Sequence, residues 1–327
     1  MTHGFTSPGR RDNGLLLVTR PVSSEAAASQ VPAPGTLNID HVAHFVPHVD
    51  SASSELKKLG FTLTPFSEQS QRAEPGGPLV PAGSGNRCVM LREGYLEFLT
   101  PTGDTPIAGQ LRTALKRYTG VHLVAFGTAA PEADHARLAS AGFGPLPPVA
   151  LQRQIGTATG VGTAGFTVVR VPPGTMPEGR IQFCQQHTPE LLWQRRWLDH
   201  RNRAAALTGV ILRVADAREA AQRFARYTGL LAQPSGSTWR ISTARGYLLF
   251  ADRETLHRRL GVVAPSLPWI AGYVLSSEDI AETGDYLRMS RVPVHVLGSQ
   301  RLMVKLPEAL GGLIVFEPLD AGVLNFD

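Results

Sequence analysis

The sequence predicts an α+β protein built from four βαβββ modules, paired into two half-barrel domains. Three observations carry this. The same order of strand, short helix and strand hairpin recurs four times along the chain. The helical segments are short and end at glycine, and the strands come in pairs around Gly/Pro turns. The chain has 327 residues, 43% hydrophobic and 18% charged, enough apolar material for two cores. A single such module leaves a curved sheet with a bare apolar face. Two modules close that face into a cup, so four make two cups.

Residues 1–36 are rich in Ser, Ala, Pro, Gly and Arg and read as a flexible leader, with a short strand expected at 15–19. The run LLLV at 15–18 is too short for a signal h-region, and Asp12 and Glu25 interrupt a transit-peptide pattern. Module 1 opens with IDHVAHFV. A helix follows, with Ala52, Leu56 and Leu59 on one face and Gly60 as its stop. GNRCVMLREGYLEFLTP then gives two strands turning at Arg92-Glu93-Gly94. Between Gln69 and Gly85 the Pro/Gly-rich stretch reads as a loop suited to a flexible lid.

Module 2 starts GVHLVAFG at Gly120. Its helix carries Ala136, Leu138 and Ala141, and FTVVRVPPGTMPEGRIQFCQQ forms its hairpin. PELLWQRRWLDH links the halves, with Trp193 and Trp197 as packing residues. Module 3 runs LTGVILRV, a helix over Ala217–Tyr227 closed by Gly229, and a hairpin turning at Ala244-Arg245-Gly246. Module 4 runs IAGYVLSS, a helix with Ile280, Tyr286 and Leu287, and a hairpin turning at Gly311-Gly312. The domains are therefore expected at 37–200 and 201–327.

The formal charge is +5, lysine occurs only at Lys57, Lys58, Lys116 and Lys305, and the arginines are scattered. No basic stripe suits a nucleic acid, while a small anionic substrate is compatible with the charge. Cys88 and Cys184 make no disulfide framework, which fits a reducing, cytoplasmic setting. No run approaches eighteen apolar residues, so no membrane span is expected. Four modules can pair within one chain or swap between the subunits of a homodimer.

Strand alternation sorts the candidate residues. His41, Ala43 and Phe45 share one face of the first strand, and His44 lies on the other. His44 reads as structural and His48, beyond Pro47, as solvated. Tyr95, Glu97 and Leu99 share a face of theirs. A carboxylate between Leu96 and Phe98 is costly to bury unpaired, so Glu97 implies a partner.

The stretches IDHVAHFV, GSGNRCVMLREGYLEFL and PEGRIQFCQQHTPELLW resemble the glyoxalase-like domain proteins of the vicinal oxygen chelate superfamily, over roughly residues 38–318. That resemblance implies metal ligands on the first and last strands of paired modules, here His41, Glu97, His122 and Gln182. The ion would be divalent Zn, Ni, Co, Mn or Fe. Gln182 can ligate weakly, bond a metal-bound water, or only point into the cup. Glu97 would also move the proton. Asn86, Arg87 and His187 are the expected substrate contacts. Modules 3 and 4 offer no ligand at the corresponding places. The resemblance therefore implies a metal-dependent isomerase or lyase of the glyoxalase type. A non-haem iron ring-cleaving dioxygenase and a metal-free small-molecule binding protein are the alternatives.

Overall fold

The computed structural model describes Met1 and residues 27–72, 77–298 and 300–324. The strand expected at 15–19 lies outside the described residues. Module 1 comprises β1 (Asn38–Phe45), α1 (Val49–Lys58), β2 (Ser67–Arg72), β3 (Leu79–Met90) and β4 (Tyr95–Pro101), followed by α2 (Pro106–Leu115). Module 2 comprises β5 (Gly120–Gly127), α3 (Pro131–Ser140), β6 (Val149–Thr157), β7 (Gly160–Arg170) and β8 (Arg180–Gln186), followed by the linker helix α4 (Pro189–Leu192). Module 3 comprises β9 (Ala204–Arg213), α5 (Ala217–Thr228), β10 (Ala232–Ser235), β11 (Thr238–Ser242) and β12 (Tyr247–Ala251), followed by α6 (Arg253–Leu260). Module 4 comprises β13 (Trp269–Ser277), α7 (Ile280–Met289), β14 (His295–Leu297), β15 (Arg301–Lys305) and β16 (Leu313–Pro318). Four βαβββ modules are thus present in the expected order.

The N-terminal half runs β2-β3-β4-β1-β5-β8-β7-β6, and the C-terminal half β10-β11-β12-β9-β13-β16-β15-β14. Each half is a curved sheet whose concave face forms a cup. The opposite faces and the module helices share one large core, from Ile39, Val42 and Phe98 through Phe183 and Tyr227 to Tyr273 and Phe316. His44 sits in that core as its alternation requires. One ring nitrogen meets the Leu310 carbonyl at 2.9 Å and the other the Tyr273 hydroxyl at 3.2 Å, so it ties the two halves together. Burial lowers its pKa to about 4.

Each central strand pair carries two bulges that matter for the site. Between β1 and β5, Asp40 and His122 are the extra, unpaired residues. Between β9 and β13, Thr208 and Ala271 occupy equivalent places, with a further irregularity nearer the strand ends. The bulges therefore belong to the architecture of both halves rather than to one local accident.

Three differences from expectation have local causes. The Gln69–Gly85 stretch is largely a hairpin, β2 paired with β3, in which Gly83 and Gly85 make room for the side chains of Thr105 and Phe66 rather than leaving chain free; residues 73–76 lie outside the described residues. Within 27–36, Gln30 is fully buried and clamps the β3–β4 turn, accepting from the Gly94 amide at 3.0 Å and donating to the Arg92 carbonyl at 2.9 Å. This part of the expected leader is packed. Helices α2 and α6 were not expected from apolar periodicity, but their starts are capped. Thr105 accepts from the Ala108 amide at 3.1 Å ahead of Pro106, and Asp252 accepts from the Thr255 amide at 2.8 Å. Among the described residues no helix is long and apolar enough to cross a membrane.

Candidate functional site

Strand register fixes which side chains line the N-terminal cup. Residues paired across neighbouring strands point to the same face. One row runs Met90–Tyr95–His41–Ala125–Gln182–Arg170, across β3, β4, β1, β5, β8 and β7. The next runs Cys88–Glu97–Ala43–Leu123–Arg180. His41 and Glu97 are therefore neighbours on the cup wall, as alternation predicts.

His41 is held on three sides. Its Nδ1 donates to Asp40 Oδ2 at 2.6 Å, and the ring stacks on Tyr95 with centroids 4.4 Å apart. Tyr95 in turn meets the edge of Trp193, a linker residue whose Nε1 donates to the Leu91 carbonyl at 3.0 Å. Asp40 is completely buried and also accepts from Gln186 Nε2 at 3.1 Å. With Nδ1–H engaged by a carboxylate, Nε2 presents its lone pair, and it does so 4.0 Å from Glu97 Oε2. The other Glu97 oxygen, Oε1, accepts from Asn86 Nδ2 and from Gln69 Nε2 at 3.3 Å. His41 is 4% exposed and Glu97 8%, so both face an almost enclosed interior.

The remaining expected site residues divide. Gln182 lies on the cup face, 8% exposed, and its side chain makes no hydrogen bond among the described residues. Asn86 lies in the cup, but it serves Glu97 and accepts from Arg153 Nη1 at 3.1 Å. His122 does not join His41 and Glu97. Its Nε2 donates to the Tyr118 carbonyl at 2.8 Å, and its ring lies between Tyr118 and Phe45. Burial lowers its pKa to about 4. The bulges explain this placement: by register His122 corresponds to Asp40, and the counterpart of His41 is Leu123. Arg87 points away from the cup and donates to the Thr64 carbonyl at 3.1 Å, because it alternates with Asn86 and Cys88. His187 is exposed outside the cup beside Thr167, 2.8 Å away, and the inward residue is its neighbour Gln186. Neither Arg87 nor His187 can touch a ligand held between His41 and Glu97.

Several cup residues were not anticipated. Asp40 was hidden because a bulge breaks the alternation that would have placed it opposite His41. Arg153 and Arg170 were more legible, Arg153 in phase with Val149, Leu151 and Ile155 and Arg170 with Phe166 and Val168, whereas Arg180 opens a polar face with Gln182 and Gln186. Arg153 spans from β6 to Asn86 on β3 and struts the cup. The two cysteines also face inward, but burial pushes the Cys88 thiol up to about 11 and raises that of Cys184 as well. Both stay protonated at neutral pH and supply neither a thiolate ligand nor a nucleophile.

One end of the cup is closed by Trp193, Leu192 and Leu198 against Met90 and Tyr95. The other is roofed by α2, whose Leu111 packs with Phe45, Leu99 and Leu123. Two surface hollows, one beside Arg253 and His257 and one beside Val161 and Leu191, lie outside both cups.

A divalent ion fits part of this donor set. His41 Nε2 and Glu97 Oε2, at 4.0 Å, can both reach one ion with bonds of about 2.1 Å, and a carboxylate on the far nitrogen is the usual support of a metal-binding histidine. The Gln182 amide is the third uncommitted donor on that face. His122 is committed elsewhere, and among the described residues no cluster of three or more His, Cys, Asp or Glu is arranged to hold a metal. The donor set the structure offers is therefore His41, Glu97 and Gln182, one histidine short of the expected four.

The family model of the glyoxalase-like domain matches residues 39–228, more than half of the chain. No curated protein matches the sequence. Among solved structures, a hypothetical protein from Staphylococcus aureus is similar over 86% of this chain and 100% of its own, with a TM-score of 0.60 and 12% identity. A mutant 4-hydroxymandelate synthase from Streptomyces coelicolor is similar over 90% of this chain and 96% of its own, with a TM-score of 0.52 and 15% identity. At these identities the likeness is one of fold. The fold, the repeated modules and the family match agree: the chain belongs to the glyoxalase-like domain family of the vicinal oxygen chelate superfamily.

Proposed function

We propose that the N-terminal cup is the active site of a metal-dependent glyoxalase-like enzyme of the isomerase or lyase type, acting on a small molecule with two neighbouring oxygens. The observation that carries this is the Asp40-held His41, presenting Nε2 to Glu97 Oε2 at 4.0 Å inside an enclosed cup. His41, Glu97 and Gln182 would hold the ion, which supplies Lewis-acid stabilisation of negative charge developing on the substrate oxygens. Asp40 keeps His41 in the tautomer whose lone pair faces inward. Asn86 and Gln69 anchor Oε1 of Glu97 and leave Oε2 for the ion; displaced from it, Oε2 would accept a substrate proton. Tyr95 and Trp193 fix the imidazole plane, and α2 with the linker excludes water.

Metal analysis of untagged protein tests the assignment. The wild type is expected to carry about one divalent ion per chain. His41→Ala and Glu97→Gln should lose it, and His122→Gln should keep it. Full retention in His41→Ala refutes the site. A second reading, a metal-free binding protein, draws on the commitment of His122 to Tyr118, and a metal-free wild type would favour it. Iron together with oxygen uptake on a catechol would instead favour ring cleavage.

A further inference from the structure

The cup has a second pole. Arg170 and Arg180 project from β7 and β8, in the same rows as His41 and Glu97 but three strands along the wall. With strands about 4.8 Å apart, the two poles face each other across the concave sheet. Among the described residues neither guanidinium forms an ion pair. Arg180 donates to the neutral Gln110 Oε1 at 2.9 Å and lies 5.9 Å over the Phe45 ring, and Arg170 Nε is buried with no partner.

Two other half-buried arginines of this chain are ion-paired. Arg223 is clamped by Glu178 at 2.8 Å and by Glu219 at 2.9 Å, and Arg301 meets Glu317 at 2.9 Å. Two neighbouring half-buried cations with no ion-pair partner repel each other, and an anion arriving from outside would offset that. Burial, and then the adjacent Arg170, lower the Arg180 pKa, and Glu97 across the cup offsets this only in part. The fold itself does not require them. By register the corresponding residues of the C-terminal cup are Met303 for Arg170 and Leu313 for Arg180.

We propose that Arg170 and Arg180 form an anion-binding pole, so that the ligand of the cup is a small molecule carrying a carboxylate or phosphate at one end and its reacting oxygens at the other. This deepens the active-site reading and rests on the N-terminal cup being the ligand site. It does not depend on a metal.

Calorimetric titration of chelator-treated, dialysed protein tests it, with glutarate, its neutral analogue glutaramide, and inorganic phosphate as probes. Glutarate or phosphate should bind the wild type, and the tighter of the two identifies the anion class. Binding should weaken roughly 10- to 100-fold in Arg170→Met and in Arg180→Leu, the residues that the other cup carries. It should be unchanged in Arg259→Met, an exposed control. Without ligand, both cup variants should melt at or above the wild-type temperature, because like-charge repulsion is relieved; a structural arginine would give the opposite. The proposal is overturned if neither anion binds the wild type, if glutaramide binds as well as glutarate, if the cup variants bind undiminished, or if they melt well below wild type. Since no metal is present, the outcome is separate from that of the metal analysis.

Discussion

The two cups of this protein share a backbone and differ in what fills them. The hairpins GYLEFL and GYLLFA superpose in register, so Glu97 in the first cup answers to Leu249 in the second. Gln182 answers to Val315, Arg180 to Leu313 and Arg170 to Met303. The bulged Asp40 and His122 answer to Thr208 and Ala271. His41, Glu97, Gln182, Arg170 and Arg180 thus answer to glycine or apolar residues, and the second cup keeps its own charges committed: Glu317 is bound by Arg301 at 2.9 Å and by Thr208 at 2.8 Å. There Leu256 and Leu260 of α6, with Leu324, close an interior of Leu249, Met303 and Val315. One scaffold thus carries a polar interior with uncommitted groups and a largely apolar one whose Glu317 is paired. The first tolerates uncommitted donors and unpaired guanidinium groups; the second spends the same positions on packing.

Exchanging the paired residues is the strongest way to break this contrast. Leu249→Glu places a carboxylate in a largely apolar interior where its register partner, the half-buried Arg240, is the one cation directly across from it, and should cost about 2–3 kcal/mol in urea unfolding. Glu97→Leu should stay within about 1 kcal/mol of wild type, because it removes a buried charge as well as its bonds, yet it should abolish metal retention. If both substitutions cost the same, the cups do not differ as described. Of similar size is Trp193→Ala, expected to cost about 3 kcal/mol, since the indole is fully buried and closes the first cup only. Ligand or metal binding should weaken with it, because Tyr95 and then His41 lose their stack. Unaltered binding at reduced stability would detach the linker from the site.

Much of this contrast was legible in the sequence. The four modules, their hairpin turns and the inward faces of His41 and Glu97 follow from periodicity and alternation, and the silence of the second half follows from Leu249 and Val315. The bulges were not legible. A bulge needs the register of two strands about 80 residues apart, β1 against β5, and no local pattern reports it. Two extra residues, one in each strand, hid Asp40 and made His122 look like the partner of His41. Arg87 and His187 were misplaced differently: each is chemically apt but sits one residue out of phase with the inward face, and the inward neighbours are Asn86 and Gln186. Arg153 and Arg170 are in phase with apolar residues, a pattern that marks an inward-facing cation, and Arg180 is not.

Acid should also distinguish the halves. Burial lowers His44, His122 and His200 to about 4 from an ordinary value near 6.5. All three lie in the N-terminal domain or its linker, while His257 and His295 of the second half are exposed. Between those two values the unfolded chain binds protons that the folded chain refuses. Stability is therefore complete above about pH 6.5 and falls as pH drops toward 4, by roughly 1.4 kcal/mol per pH unit for each histidine. Melting curves across that window should show the fall, and His122→Gln should remove about one proton from the slope. A slope unchanged in that variant would mean that His122 is not held neutral by its burial against Tyr118 and Phe45.

The smallest expected effect concerns the helices that roof the cups. Both follow the last strand of the first module in their pair, and both start at a side-chain cap, Thr105 for α2 and Asp252 for α6. Removing either cap should cost about 1 kcal/mol. The roofs differ in what lies beneath. Leu256 and Leu260 of α6 are locked into the apolar filling of the second cup. Leu111 of α2 lies above a cup with uncommitted donors, and Thr105 also anchors the helix start by donating to the Ala82 carbonyl at 2.6 Å. Thr105→Ala should therefore speed hydrogen exchange along α2 more than Asp252→Ala does along α6, because less apolar packing remains to hold it. Equal acceleration would mean that the first cup is packed as tightly as the second, and α2 would then be a fixed wall rather than the element that opens to admit a ligand.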